Sequence, residues 1–191
     1  MTEPIRTALI YGSTRTERFC DKVANWIVAH MARHAEFELH SIDPASVTHE
    51  HSHDETVAHH ADIKTLMQRA DAFIIVHPEY NHGYPAPLKQ LIDAYTTEWQ
   101  AKPVAFVSYG GISGGIHAAE QLRTVLGWLH AVPIRDGVIL SNVWRELDSD
   151  GQLALGQPAE QAAELMLARL HWWASALRTA RQAMPYEQAV A

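Results

Sequence analysis

The chain has 191 residues, 47% of them hydrophobic and 19% charged, which is a globular balance and not that of a disordered segment. Its formal net charge of −7 argues against nucleic acid or an anionic membrane surface as the main partner, while small anions that respond to local fields stay open. The single cysteine, Cys20, allows no intrachain disulfide; residues 1–6 lack the apolar core of a signal peptide, and no run approaches membrane-spanning length. A cytoplasmic protein with one domain over residues 1–191 is expected.

Residues 5–11, IRTALIY, read as a first strand ended by Gly12 and Ser13. A helix is expected over about 17–34, where Val23, Trp26, Ile27 and Met31 recur at helical spacing. Residues 37–42 alternate polar and apolar as an edge strand does, and a polar loop then leads into a helix ending near Arg69. The apolar run 72–76, AFIIV, reads as a buried strand. It opens into a loop stiffened by Pro78, Pro85 and Pro87, because each proline fixes its own φ and restricts its neighbour. A helix over 85–99 follows, with Leu88, Leu91, Ile92 and Tyr95 on one face; Tyr84, Tyr95 and Trp99 read as a second, exposed aromatic set. Next come a strand at 104–108, a loop YGGISGG, a helix at 116–130, a strand within 132–140 and a final helix at 158–181. The last helix aligns Met166, Leu170, Trp173 and Leu177.

Five strands alternating with five helices predict an α/β three-layer sandwich with a parallel sheet, for which the flavodoxin-like order 2-1-3-4-5 is the economical choice. That order brings the loops after the first, third and fourth strands to one crevice. The first loop carries Ser13, Thr14, Arg15, Thr16 and Arg18 before a helix start, where free amides and the helix dipole favour an anion. Having one glycine and no lysine, it is neither a dinucleotide fingerprint nor a nucleoside-triphosphate loop, and it suits a monophosphate. An ordinary hydroxyl cap with solvated arginines is an even alternative for this loop alone. The second loop offers Glu79, Tyr80, Asn81 and main-chain amides. The third has four glycines within 108–115, which let backbone approach a flat ligand.

These residues resemble the NADPH-dependent FMN reductase family of flavodoxin-like proteins, which includes quinone, azo-dye and chromate reductases. The likeness rests on Gly12-Ser13-x-Arg15, on Pro78-Glu79-Tyr80-Asn81 with Pro87-Leu88-Lys89 and Ile92-Asp93, and on Ser108-Tyr109-Gly110-Gly111 with Gly114-Gly115 and Gln121-Leu122-Arg123. It implies bound FMN, with Ser13, Arg15, Arg18 and Phe19 in the phosphate loop. Pro78, Glu79, Tyr80, Asn81, Ser108, Tyr109 and Gly110 would lie beside the ring. Where many members have a serine and an asparagine, this chain has Arg18 and Cys20, and Arg18 is expected to replace a lost hydroxyl. The resemblance further implies NADPH or NADH as donor, a quinone or other small acceptor, ping-pong exchange and no catalytic side chain of the protein's own. It also implies a homodimer or dimer of dimers, with Tyr84 or Trp99 near the partner's flavin.

Two rivals differ in class. Residues 111–115, GISGG, formally match the nucleophile pattern G-x-S-x-G, with acidic residues and His171 following in order, so a serine hydrolase using Ser113 is one. An FMN-binding electron-transfer module without turnover is the other. No metal is expected: His49, His51, His53, His59 and His60 crowd together without the spacing of zinc sites and read as a solvated loop entering a helix. Cys20 reads as a small buried side chain.

Overall fold

In the computed structural model, which describes residues 3–47 and 53–189, one twisted sheet is covered on both faces by helices. The elements are β1 (Ile5–Tyr11), α1 (Cys20–Met31), β2 (Phe37–Ile42), α2 (His53–Arg69), β3 (Ala72–Pro78), α3 (Ala86–Asp93), β4 (Pro103–Gly110), α4 (Ile116–Trp128), β5 (Val132–Pro133), β6 (Val138–Ser141) and α5 (Gln157–Ala183). The strands run parallel in the order β2-β1-β3-β4-β5, the flavodoxin-like arrangement. Every residue of β3 and β4 is buried, as strands covered on both faces must be, and this explains the apolar runs 72–76 and 104–107 within them.

Two cores flank the sheet. One packs Val23, Ala24 and Ile27 of α1 and Met166, Leu167 and Leu170 of α5 against Leu9, Ile74 and Val107. The other packs Met67 of α2, Leu88 and Ile92 of α3 and Leu122 and Leu126 of α4 against Ile10, Ile75 and Phe106. Alternate residues of each strand face opposite cores. At the amino-terminal end of the sheet Asp71, buried, accepts from Arg6 at 3.1 Å and pairs with Arg178 at 3.5 Å and Arg181 at 3.4 Å, which ties α5 to β1 and β3. Among the described residues no helix is long and apolar enough to cross a membrane.

Several boundaries differ from the sequence reading. Helix α1 starts at Cys20 because Glu17 takes φ 52°, which no right-handed helix holds; α4 stops at Trp128, before His130 with φ 58°. The expected fifth strand is two segments on the same edge of β4. Between Val104↔Pro133 and Val107↔Val138 the outer chain uses two more residues than β4, and the ladder breaks there. On α5 the buried line is Ala163, Met166, Leu167, Leu170 and Ala174, while Trp173 is exposed. His49 and His51 lie outside the described residues, as do the side chains of His53 and His59; the Nδ1 of His60 lies 3.2 Å from the Tyr95 hydroxyl.

The expected aromatic patch is the largest correction. Helix α3 ends at Asp93, and a short 3₁₀ turn, Thr97–Trp99, folds the chain back inward. Trp99 is fully buried, its ring centroid 4.6 Å from that of Phe73 and its indole N–H donating to Ile92 O at 3.3 Å. Tyr95 is buried and Tyr84 half-buried against the same core. These side chains cement the core and offer no exposed aromatic face. Replacing Trp99 by alanine removes a large side chain from a closed site, so urea unfolding should show a loss of about 3–5 kcal/mol. A loss below about 1 kcal/mol would return Trp99 to the surface.

Candidate functional site

The carboxyl ends of β1, β3 and β4 are neighbours, with Tyr11 opposite Val76 and Pro78 opposite Tyr109. Three loops therefore leave the sheet side by side. Gly12 opens the first, so close to β3 that a Cβ there would lie 2.6 Å from His77 Cβ and 2.7 Å from Val76 O. Its own N–H donates to Val76 O at 2.7 Å. Only glycine permits this approach.

In the second loop Asn81 and His82 have φ of 51° and 64°, and Tyr80 and Gly83 exchange main-chain hydrogen bonds of 2.8 and 3.0 Å. That is a two-residue type I′ turn, made here by Asn-His where Asn-Gly is the usual signal. The turn sends Glu79 and Tyr80 in different directions. The Tyr80 hydroxyl shares a 3.1 Å hydrogen bond with Ser13 Oγ, and the Arg15 guanidinium lies 3.7 Å above the Tyr80 ring. Glu79 instead accepts from Ser113 Oγ at 2.9 Å, His117 N–H at 3.0 Å and Ala118 N–H at 3.4 Å. Its carboxylate caps α4, whose own N-cap, Gly115 at φ 88°, has no side chain to do so. Glu79 and Tyr80 thus tie the second loop to both of the others.

The third loop passes from Gly110 to Gly115. A Cβ on Gly115 would come within 3.0 Å of Tyr109 N and O, whereas one on Gly111 would meet nothing within 4 Å. Gly111 thus faces open space. The carbonyls of Gly110 and Gly111 accept from Asn142 N–H at 2.8 and 3.1 Å, and Ser141 Oγ donates to Ile112 O at 3.1 Å, so the end of β6 braces this loop.

The structure places the expected residues as follows. Ser13, Pro78, Ser108, Tyr109 and Gly110 are buried in the floor, Phe19, Glu79 and Tyr80 are half-buried in the walls, and Arg15 and Asn81 are exposed at the rim. Phe19 is the N-cap of α1 and supplies no side-chain cap; its carbonyl accepts from Lys22 N–H at 3.1 Å, which leaves the amides of Cys20 and Asp21 without a partner among the described residues. Its ring lies 6.1 Å from that of Tyr109. Arg18 differs from Arg15: it grips Asp43 through two bonds of 2.7 and 2.5 Å, Asp21 at 2.7 Å and Ser13 O at 2.5 Å. Asp43 holds that guanidinium charged, well above its usual range, and the pair fastens the loop. Left without a partner among the described residues are the hydroxyls of Thr14 and Thr16 and the amide of Asn81.

The hydrolase arrangement is not formed. Ser113 Oγ donates to a carboxylate, and the His171 ring packs edge-on against Phe37, 5.9 Å away beside β2. Cys20 is buried, and burial pushes its thiol up to about 11, which removes it from thiolate chemistry. Reading the sequence missed His77, fully buried below Gly12, with Nδ1 3.1 Å from Pro78 O and Nε2 without a partner. A lone histidine in an apolar run gives no signal of that role.

The family described as NADPH-dependent FMN reductase matches residues 5–145. An NAD(P)H-dependent FMN reductase of Schizosaccharomyces pombe is 36% identical over 131 residues, covering 63% of this chain and 65% of that one. The chain thus spans a little under two thirds of that relative's length. An NAD(P)H-dependent FMN reductase of Saccharomyces cerevisiae is 30% identical over 141 residues, covering 64% of this chain and 73% of the relative. Among solved structures FerB, a flavoenzyme NAD(P)H:(acceptor) oxidoreductase from Paracoccus denitrificans, superposes with a TM-score of 0.72 at 21% identity, over 90% of this chain and 98% of that one. That likeness is one of fold.

His77 gives the site a pH signature. Burial lowers its pKa from 6.5 to about 4. Between those values the unfolded chain binds the extra proton, so this contribution is whole above pH 6.5 and is lost as pH falls towards 4. His77→Leu should therefore lose about 2 kcal/mol less than the parent between pH 7 and pH 5 in urea unfolding. Equal losses would show that His77 accepts a proton in the folded protein.

Proposed function

The chain belongs to the NADPH-dependent FMN reductase family, and we propose that it is an FMN-carrying oxidoreductase passing reducing equivalents from NADPH or NADH to quinones or other small acceptors. The observation that carries this reading is the joining of three loops through Glu79 and Tyr80, with the hydroxyls of Thr14 and Thr16 and the amide of Asn81 left without a partner among the described residues. Those donors fit the cofactor. Arg15, Thr14 and Thr16 stand beside the open amides of α1, a set suited to a phosphate monoester. The free space at Gly111 admits a flat ring against backbone.

In this reading Ser13, Arg15 and the start of α1 hold the phosphate, while Arg18 and Phe19 shape its loop from below. Pro78, Glu79, Tyr80 and Asn81 form one side of the ring pocket, and Ser108, Tyr109 and Gly110 the other. FMN, when bound, supplies the hydride relay between nicotinamide and acceptor. The protein's part is to present main-chain donors to the ring edge, to exclude water with Tyr80 and Tyr109, and to leave one approach for donor and acceptor in turn. Glu79 positions α4 and its glycine loop and needs no proton-transfer role. Residues 1–191 form one domain in this reading.

The purified protein should hold FMN in a one-to-one ratio. Arg15→Ala should weaken FMN about tenfold while leaving riboflavin nearly unchanged, because only FMN offers the phosphate. Equal weakening of both ligands by Arg15→Ala would remove the phosphate assignment. Initial rates against a quinone should give parallel lines, and intersecting lines would replace the shared site by a ternary complex.

Assembly is proposed as a homodimer or dimer of dimers, on surfaces other than the buried Trp99. Ile112, 91% exposed, and the exposed Ile139 and Trp144 leave an apolar rim beside the third loop. Light scattering at micromolar concentration with flavin bound should give at least the dimer mass, and a monomer would overturn this assignment.

A further inference from the structure

At the outer edge of the crevice, Glu79, His82 and His117 come together. One ring nitrogen of each histidine and a carboxylate oxygen of Glu79 all lie within 4.8 Å of one another. No sequence spacing reveals the set, because His82 lies in the second loop and His117, 35 residues later, in α4. Both are mounted on firm backbone. His82 sits in the type I′ turn and its carbonyl accepts from Gln121 Nε2 at 2.7 Å; His117 lies in the first turn of α4 with its N–H on Glu79. The two rings stack at 4.4 Å with an interplanar angle of 17°, both on the surface.

Glu79 is oriented from behind by the Ser113 hydroxyl and the amides of His117 and Ala118, as outer donors orient ligating carboxylates. A carboxylate has about four acceptor positions, so three donors leave it able to take a cation. Two imidazoles and one carboxylate, open to solvent on the remaining side, make the donor set of zinc sites that keep a water ligand. Calcium and magnesium prefer all-oxygen surroundings.

We propose that Glu79, His82 and His117 form a binding site for a divalent transition metal, best suited to Zn²⁺, which locks the 80–83 turn onto α4. Metal–ligand distances of about 2.0–2.2 Å bring the three donor atoms to roughly 3.4 Å apart. The exposed rings reach that by rotating about their own side-chain bonds. Through the turn, the metal restrains Tyr80 and Asn81. On the flavin reading above, on which this part alone rests, zinc therefore slows exchange of nicotinamide and acceptor.

Calorimetric titration of the purified full chain with zinc chloride tests the site. The parent should bind one more equivalent than His117→Ala and than His82→Ala, or bind it at least about tenfold more tightly. The histidines of residues 49–60 contribute the same background to all three proteins. Equal stoichiometry and affinity in parent and both variants would overturn the site. Histidine ring resonances of the parent give a second reading that needs no variant: zinc should shift those of His82 and His117, and shifts confined to other histidines would also overturn it. Zinc should slow turnover of the parent reversibly on chelation, and His117→Ala should escape this slowing. Equal inhibition of both proteins would overturn the locking of the turn. The calorimetry decides the site whether or not the protein carries flavin.

Discussion

The closeness of β1 and β3 at their carboxyl ends is the constraint on which the site depends. Gly12 lies against the backbone of Val76 and His77 with no room for a side chain. This contact sets where the chain leaves β1, and so brings Ser13 to the Tyr80 hydroxyl and the exposed Arg15 over the Tyr80 ring. Below it, His77 fills the space beside Phe106 as an uncharged ring. A charge there would be cut off from water and would face no carboxylate at contact distance. The floor of the crevice is thus kept neutral, while the cationic character of the rim is left to Arg15.

The polar residues divide into those that hold the loops and those that face outward. Arg18 with Asp43 and Asp21, and Glu79 with Ser113 and the start of α4, belong to the first group. All are charge-assisted, and all but Arg18–Asp21 link residues distant in sequence, which is a better use for a partly buried charge than a flexible surface pair. Arg15, Thr14, Thr16 and Asn81 belong to the second group. A crevice whose walls are already fixed can order a ligand without first ordering itself, which lowers the entropy cost of binding.

The architecture was legible because β3 and β4 hold the apolar runs 72–76 and 104–107 and the helices between strands carry clear periodicity; strand order then followed from the few crossovers available. The location of the site was legible for the same reason, since it follows from topology. The division of labour within it was not. Arg15 and Arg18 look alike in sequence, and only the placement of Asp43, 25 residues away, separates them. Glu79 looks like a ligand until α4 is seen to start beside it. Trp99 reads as exposed only on a helix that continues through residues 94–96, where the chain instead bends inward. The break between β5 and β6 depends on Gly137 crossing close to Phe106 O, a contact made at 2.8 Å from the position its Cβ would take. These outcomes come from long-range packing, which local pattern cannot express.

Asp71 and its arginines have a consequence for how the chain acquires its structure during synthesis. The buried carboxylate leaves the ribosome early, yet Arg181, which flanks it, follows 110 residues later, and the Arg178 side chain reaches back 175 residues to Glu3 O. Until α5 arrives, Asp71 has Arg6 as its ion-pair partner, and the sheet face of Leu9, Ile74 and Val107 lacks the cover of α5. The nascent amino-terminal half therefore exposes an apolar sheet face for most of its translation. Helix α5 closes the core and neutralises the strand ends in one event, so this face of the sheet is completed only once α5 has been made.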